Sequence, residues 1–198
     1  MLPRWALFDL NGTLLDPSAV GPDALAAAVH ASMVDTMSGA YRPLPELLRG
    51  VLERDGVEDL DEVLERFAAM PPYPDASTAL DTLRGAGMRV GVLSNSAKSA
   101  AESALSSAGL EVELVVGSDA VEVFKPDPRV YAAGVEATGA DPADVVMVAA
   151  HWWDVLGASR AGLRTAWVGR KERVLMPGVE VDWRGADLAA TAVAVAAG

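Results

Sequence analysis

Cysteine is absent from the 198 residues. Disulfides and thiolate-held metal ions are therefore excluded. Cationic side chains are scarce: 16 Lys and Arg stand against 28 Asp and Glu, for a net charge of −12, and the cations do not cluster. A sequence-independent grip on nucleic acid needs clustered Lys and Arg, and anionic membrane surfaces disfavour an acidic protein. No nucleic-acid or membrane partner is expected. No run of about 18 apolar residues is present to cross a bilayer. Only a few apolar residues precede Asp9, too few for the core of a signal peptide, and a cytoplasmic location is the default expectation. Beyond a general richness in Ala there is no low-complexity tract, and no internal repeat.

What is present is apolar and patterned. Hydrophobic residues make up 51% of the chain, which marks a globular protein rather than a disordered one. The length suits one domain, or a core with a small insert. Apolar runs at 4–8, 89–93, 145–149 and 165–168 read as strands, with 114–116 a shorter fifth. Near-continuous apolar runs are typical of parallel strands covered on both faces. Helical patterns lie between them. Residues 97–108 follow Ser96, a good N-cap, and precede Gly109; 128–138 begin with Pro and end before Gly139; 155–161 end before Gly162; 189–197 form a last candidate helix. This alternation predicts an α/β fold with a Rossmann-like parallel sheet.

The spacing after the first strand departs from that rhythm. Asp9 and Ser94 are 85 residues apart, whereas one strand-helix-strand unit takes about 30. Residues 18–71 carry a helical apolar pattern, including Leu47, Leu48, Val51, Leu52, Val63, Leu64 and Phe67, and Pro71-Pro72-Tyr73-Pro74 punctuates the return. We read 18–71 as an inserted helical cap, with 1–17 and 72–198 as the core.

Four positions at strand ends carry candidate chemistry. Asp9 follows Trp5-Ala6-Leu7-Phe8 and precedes Leu10-Asn11-Gly12-Thr13-Leu14. A carboxylate there sits where open α/β sheets place ligands and can form a covalent ester; it can equally cap the turn. Leu93-Ser94-Asn95-Ser96 brings hydroxyl, amide and backbone donors to a helix start, which suits an anion or serves as an ordinary cap. Lys125 stands before a Pro turn, as a surface residue or as a cation for a buried acid. Asp154 follows the strand at 145–149, again as cap or as reactive group.

In this order and spacing the four segments resemble the four motifs of the haloacid dehalogenase superfamily, across nearly the whole chain. The resemblance implies a nucleophilic Asp9, an ammonium from Lys125 that lowers its pKa, hydrogen bonds from Thr13, Ser94 and Asn95 to that carboxylate or to the substrate, and Asp154 pairing with Lys125 or orienting water. It also implies a helical cap in the region of the insert.

Departures from the superfamily pattern narrow the expectation. Superfamily phosphatases carry a second Asp two residues after the nucleophile, where this chain has Asn11, and an acid pair in the fourth motif, where it has Ala150 and Asp154. Amides cannot act as general acids, and hard cations want several oxygens. The chain thus resembles the metal-independent (S)-2-haloacid dehalogenases: no cofactor, a small anionic organic substrate, displacement of halide by Asp9, then hydrolysis of the aspartyl ester. Asn11, Asn95, His151 and Trp153 are the expected substrate contacts, with His151 as a base for the ester-cleaving water or as a packed structural residue. The same resemblance allows a homodimer through the cap. In these dehalogenases a cap Arg binds halide or carboxylate, but 24–37 contain only His30 as a candidate, and Arg42 is the nearest guanidinium. Two alternatives stay open: an Mg²⁺-dependent phosphatase using Asp9, Asn11 and Asp154, and a small-molecule binder without turnover.

Overall fold

The computed structural model describes residues 2–170, 172 and 174–198. Its strands are β1 (Trp5–Phe8), β2 (Arg89–Leu93), β3 (Leu114–Val116), β4 (Val145–Ala149), β5 (Arg164–Val168) and β6 (Trp183–Gly185). They form one sheet in the order β3-β2-β1-β4-β5-β6, parallel throughout. The helices are α1 (Pro22–Ser38), α2 (Leu44–Arg54), α3 (Leu60–Ala68), α4 (Ala76–Gly85), α5 (Lys98–Ser107), α6 (Pro128–Thr138), α7 (Trp152–Arg160) and α8 (Leu188–Ala197).

Strand residues alternate between two faces. Ala6 and Phe8 of β1 pack with Leu80 and Leu83 of α4, Leu105 of α5 and Leu188 of α8. Trp5 and Leu7 face the other way, onto Val130 and Tyr131 of α6 and Val155 and Ala158 of α7. All four residues of β1 are buried, which explains the unbroken apolar run at its position. The α/β expectation with a parallel sheet holds.

Strand order places the site. From β1 the chain builds outward through β2 and β3, then returns to the other side of β1 as β4. The C-terminal ends of β1 and β4 therefore flank the switch point, where open α/β sheets bind ligands.

Residues 18–71 hold α1, α2 and α3. Both ends of this segment are tied together: Asp16 N donates to Pro71 O at 2.8 Å, and Tyr73 N to Leu14 O at 2.8 Å. Leu25, Ala28, Leu44 and Leu48 belong to the same apolar cluster as Phe8 and Val92, so the inserted helices share the sheet's core.

Several local expectations shift. Ser96 does not cap α5. Ala97 takes the N-cap position without a side-chain bond, and Asp119 Oδ1 accepts from Lys98 N at 2.8 Å. The cap is thus supplied from 21 residues away, beyond the reach of a local motif. α7 begins at Trp152, three residues before the expected 155, so Asp154 lies within its first turn. β6 was not anticipated; it is three residues long with the middle one exposed, too short for an alternating pattern to register.

Candidate active site

Asp9 emerges from the end of β1 with its backbone N–H on Val148 O of β4 at 3.0 Å. The chain then folds back in a tight turn: Leu14 N and Leu15 N both donate to Leu10 O. Gly12 occupies φ +87°, a left-handed conformation, and a Cβ there would lie 2.9 Å from His151 Cε1. Glycine thus serves both the turn and the close approach of the His151 ring.

Three side chains converge on the Asp9 carboxylate. Lys125 Nζ donates to Oδ1 at 2.8 Å and Thr13 Oγ1 donates to Oδ2 at 2.9 Å. His151 Nδ1 stands 3.2 Å from Oδ2. Thr13 Oγ1 also accepts from Ala150 N at 3.0 Å, so one hydroxyl ties the turn after β1 to the end of β4.

Lys125 is fully buried. Its other two ammonium protons go to Asp154 Oδ2 at 2.6 Å and Leu93 O at 3.0 Å. Three donors meet three acceptors. Asp154, also fully buried, uses its second oxygen to accept from the Tyr131 hydroxyl at 2.8 Å. A Cβ on Gly157, one turn further along α7, would come within 2.5 Å of the Tyr131 hydroxyl. The glycine leaves the space that the tyrosine fills.

Electrostatics follow from this packing. Burial alone would raise the Asp9 carboxyl. The Lys125 charge and the His151 bond override it and hold Asp9 well below the usual carboxylate range. Burial works against the Lys125 ammonium, but Asp154 and Asp9 outweigh it and raise its pKa. Asp154 is raised, by burial first, against the opposing pull of Lys125. Burial would lower His151, yet its bond and charge contact with Asp9 raise it. Asp9 therefore stands ionised against the Lys125 ammonium, with the His151 ring biased toward its protonated form.

The remaining expected residues divide. Asn95 is buried; its Oδ1 accepts from Lys125 N at 2.8 Å. A backbone N–H only donates, so the amide orientation is set by that bond, and among the described residues Nδ2 is a buried donor without a hydrogen-bond partner. Ser94 is buried too, but its hydroxyl accepts from Ser96 N at 3.0 Å. Among the described residues the side-chain partners of Asp9 are Lys125, Thr13 and His151; of the two partners expected for Ser94, carboxylate or substrate, the first is not engaged. Asn11 Nδ2 donates to Ser96 Oγ at 3.2 Å. The Trp153 ring stacks on His151 at 5.1 Å between centroids.

These groups border a cavity of about 410 Å³. Asp9, Asn11, Asn95, His151 and Trp153 line it, as do residues of α1 and Leu44 at the start of α2. His30 lines it as well. Arg42 is instead bound by both oxygens of Asp35, at 2.9 and 2.7 Å, and does not line the cavity.

Sequence reasoning passed over three participants. Tyr131 reads as one more core residue on a helix, and only its tip is polar. Gly157 carries no local turn signal. Arg170 lines the cavity, donates to Thr13 O at 3.3 Å and Asp75 Oδ1 at 2.6 Å, and lies over the Tyr73 ring.

Metal ligation finds little support in the donor set. Among the described residues no group of three His, Cys, Asp or Glu side chains is placed to hold a metal ion. Both oxygens of Asp9 and both of Asp154 are engaged by protein donors.

Known proteins share this arrangement of fold and chain. The (S)-2-haloacid dehalogenase 4A of Burkholderia cepacia is 28% identical over 195 residues, covering 85% of this chain and 84% of its own. The (S)-2-haloacid dehalogenase of Pseudomonas fluorescens is 26% identical, covering 84% of each. An L-2-haloacid dehalogenase of known crystal structure superposes with a TM-score of 0.88 at 25% identity, over 98% of this chain and 99% of that one. The family model for haloacid dehalogenase-like hydrolases matches residues 3–162. That span runs from β1 through α7 and takes in Asp9, Lys125 and Asp154, and the chain belongs to the haloacid dehalogenase-like hydrolase family.

Proposed function

We propose that the protein is a metal-independent dehalogenase of (S)-2-haloacids, with residues 18–71 as a helical cap over the strand ends. The observation that carries this reading is the Asp9 carboxylate, ionised and held on both oxygens by Lys125 and Thr13 beside an apolar cavity.

The chemistry takes two steps. One Asp9 oxygen attacks C2 of the acid from the side opposite the halogen. A C–O bond forms, the C–halogen bond breaks, and halide leaves with the electron pair, inverting C2. The Asn95 Nδ2 donor, buried and without a partner among the described residues, suits the halide or the substrate carboxylate. Water then adds to the side-chain carboxyl carbon of Asp9. The ester opens at that carbon, and the 2-hydroxy acid leaves with a proton from the water.

His151 suits the second step. Its pKa is raised by the Asp9 charge. Esterification removes that charge, and burial then favours the neutral ring. The imidazole becomes a base at the stage where the water must lose a proton. Asp154, saturated by Lys125 and Tyr131, acts by holding Lys125 in place.

Halide release from (S)-2-chloropropionate in EDTA tests the reading, with Asp9→Asn as control. Release that disappears in the variant supports it. No release and no covalent adduct on Asp9 with any 2-haloacid would sink it. Phosphate release from esters only when Mg²⁺ is added would favour the phosphatase alternative.

A further inference from the structure

The cavity is larger than a three-carbon substrate needs. At about 410 Å³ it falls within the roughly 300–1,000 Å³ of pockets that bury drug-sized ligands. The strand ends contribute Asp9, Asn11, Asn95 and His151. The wall from the inserted helices carries Asp23 and His30 and, beside them, an apolar stripe: Leu25, Val29 and Met33 of α1, with Leu44 of α2. Positions 25, 29 and 33 follow the spacing that places side chains on one helix face. At 1.5 Å per residue this stripe runs about 12 Å along α1. Trp153 adds an aromatic surface beside His151.

Leu25 is already buried, and a halopropionate in such a site would leave the rest of the stripe, at half-buried Val29 and Met33, in contact with water. An apolar group on C2 would cover it, at about 0.8 kcal/mol per buried methylene, or about fourfold in affinity.

We propose that the substrate carries an extended apolar group on C2, either an alkyl chain of several methylenes or an aryl ring, and that the α1 stripe selects for it. This inference rests on the dehalogenase reading for its chemistry, but the apolar stripe stands apart from it.

The test is a series of (S)-2-bromo acids, from propionate through butyrate and hexanoate to octanoate, assayed for halide release. Expected is a kcat/KM that climbs about fourfold per methylene, on the order of sixtyfold from propionate to hexanoate, before levelling as the cavity fills. Rates that stay flat or fall with chain length, while propionate is dehalogenated, overturn the inference and leave the dehalogenase reading standing. Binding of the unhalogenated acids, measured by calorimetry, separates the two ideas further. If no acid releases halide, the dehalogenase reading falls, and a chain-length trend in binding still upholds the apolar pocket; a flat trend rejects it. Val29→Trp narrows the stripe at its middle. It should cost the hexanoate reaction at least tenfold more than the propionate reaction, with a melting curve confirming that the variant folds. Equal losses on both substrates count against the proposal.

Discussion

Replacing Lys125 by Met tests the central electrostatic argument. The side chains are similar in volume, but the ammonium and its three hydrogen bonds to Asp9, Asp154 and Leu93 are lost. Two carboxylates remain, at 4% and 0% exposure, with no counter-charge between them. Removing one partner of a buried ionic group costs about 3–5 kcal/mol, a large share of the 5–15 kcal/mol that holds a typical domain. The loss should depend on pH. In the native protein the ionised Asp9 adds stability above its ordinary unfolded value, about 3.9, and that contribution fades as pH falls below it. Without Lys125 the Asp154 carboxyl, already raised by burial, loses the cation that opposes the rise, and Asp9 keeps His151 but loses the larger charge that holds it down. The variant's folded state then loses stability as pH rises through the raised Asp154 value, and it loses part of the Asp9 contribution. Urea unfolding followed by circular dichroism at pH 4.5 and 7.5 reads both quantities. A gap between native protein and variant that widens toward pH 7.5, reaching about 3–5 kcal/mol, is expected. A loss below about 1 kcal/mol at pH 7.5, within the worth of an exposed pair, or a gap that narrows with pH, would refute the reasoning.

Other substitutions probe the support around that triad. Tyr131→Phe removes the hydroxyl on Asp154 and should cost about 1–3 kcal/mol in urea unfolding, with a lower kcat for halide release; unchanged stability would show that the bond is idle. Gly157→Ala places a methyl within 2.5 Å of the same hydroxyl and should destabilise by about 1–3 kcal/mol through overpacking, read as a lower unfolding midpoint. His151→Gln should let the first step proceed and slow the second, so that intact-mass spectra taken after mixing with substrate show a persistent carboxyalkyl ester adduct. Full turnover with no adduct would assign the hydrolytic base elsewhere.

Much of the fold was legible because strands buried on both faces write themselves as local apolar runs. The segments at 89–93, 114–116 and 145–149 coincide with β2, β3 and β4. The extra helices between β1 and β2 were legible from spacing, since 85 residues exceed one strand-helix-strand unit. β6 escaped because three residues, the middle one exposed, are too few to carry a period. Ser96 misled because its hydroxyl accepts from Asn11 while Asp119 satisfies the helix start. Local propensity describes what a residue can do, and distant neighbours settle which option is used.

The amino-acid order by itself determined the parallel α/β architecture, the inserted helices, and the placing of Asp9, Lys125 and Asp154 near strand ends. Those features depend on hydrophobic period and on turn chemistry, which act over a few residues. Tertiary structure decided the rest. Lys125 lies 116 residues from Asp9 and 29 from Asp154, and only the strand order β2-β1-β4 brings the loops that carry them onto one ammonium. The same packing turned Tyr131 from a core aromatic into the second partner of Asp154, freed the Asn95 Nδ2 donor by fixing its amide, and stood the apolar stripe of α1 against the site. Each depends on side chains distant in sequence meeting in a water-poor interior, where hydrogen bonds and charges act most strongly.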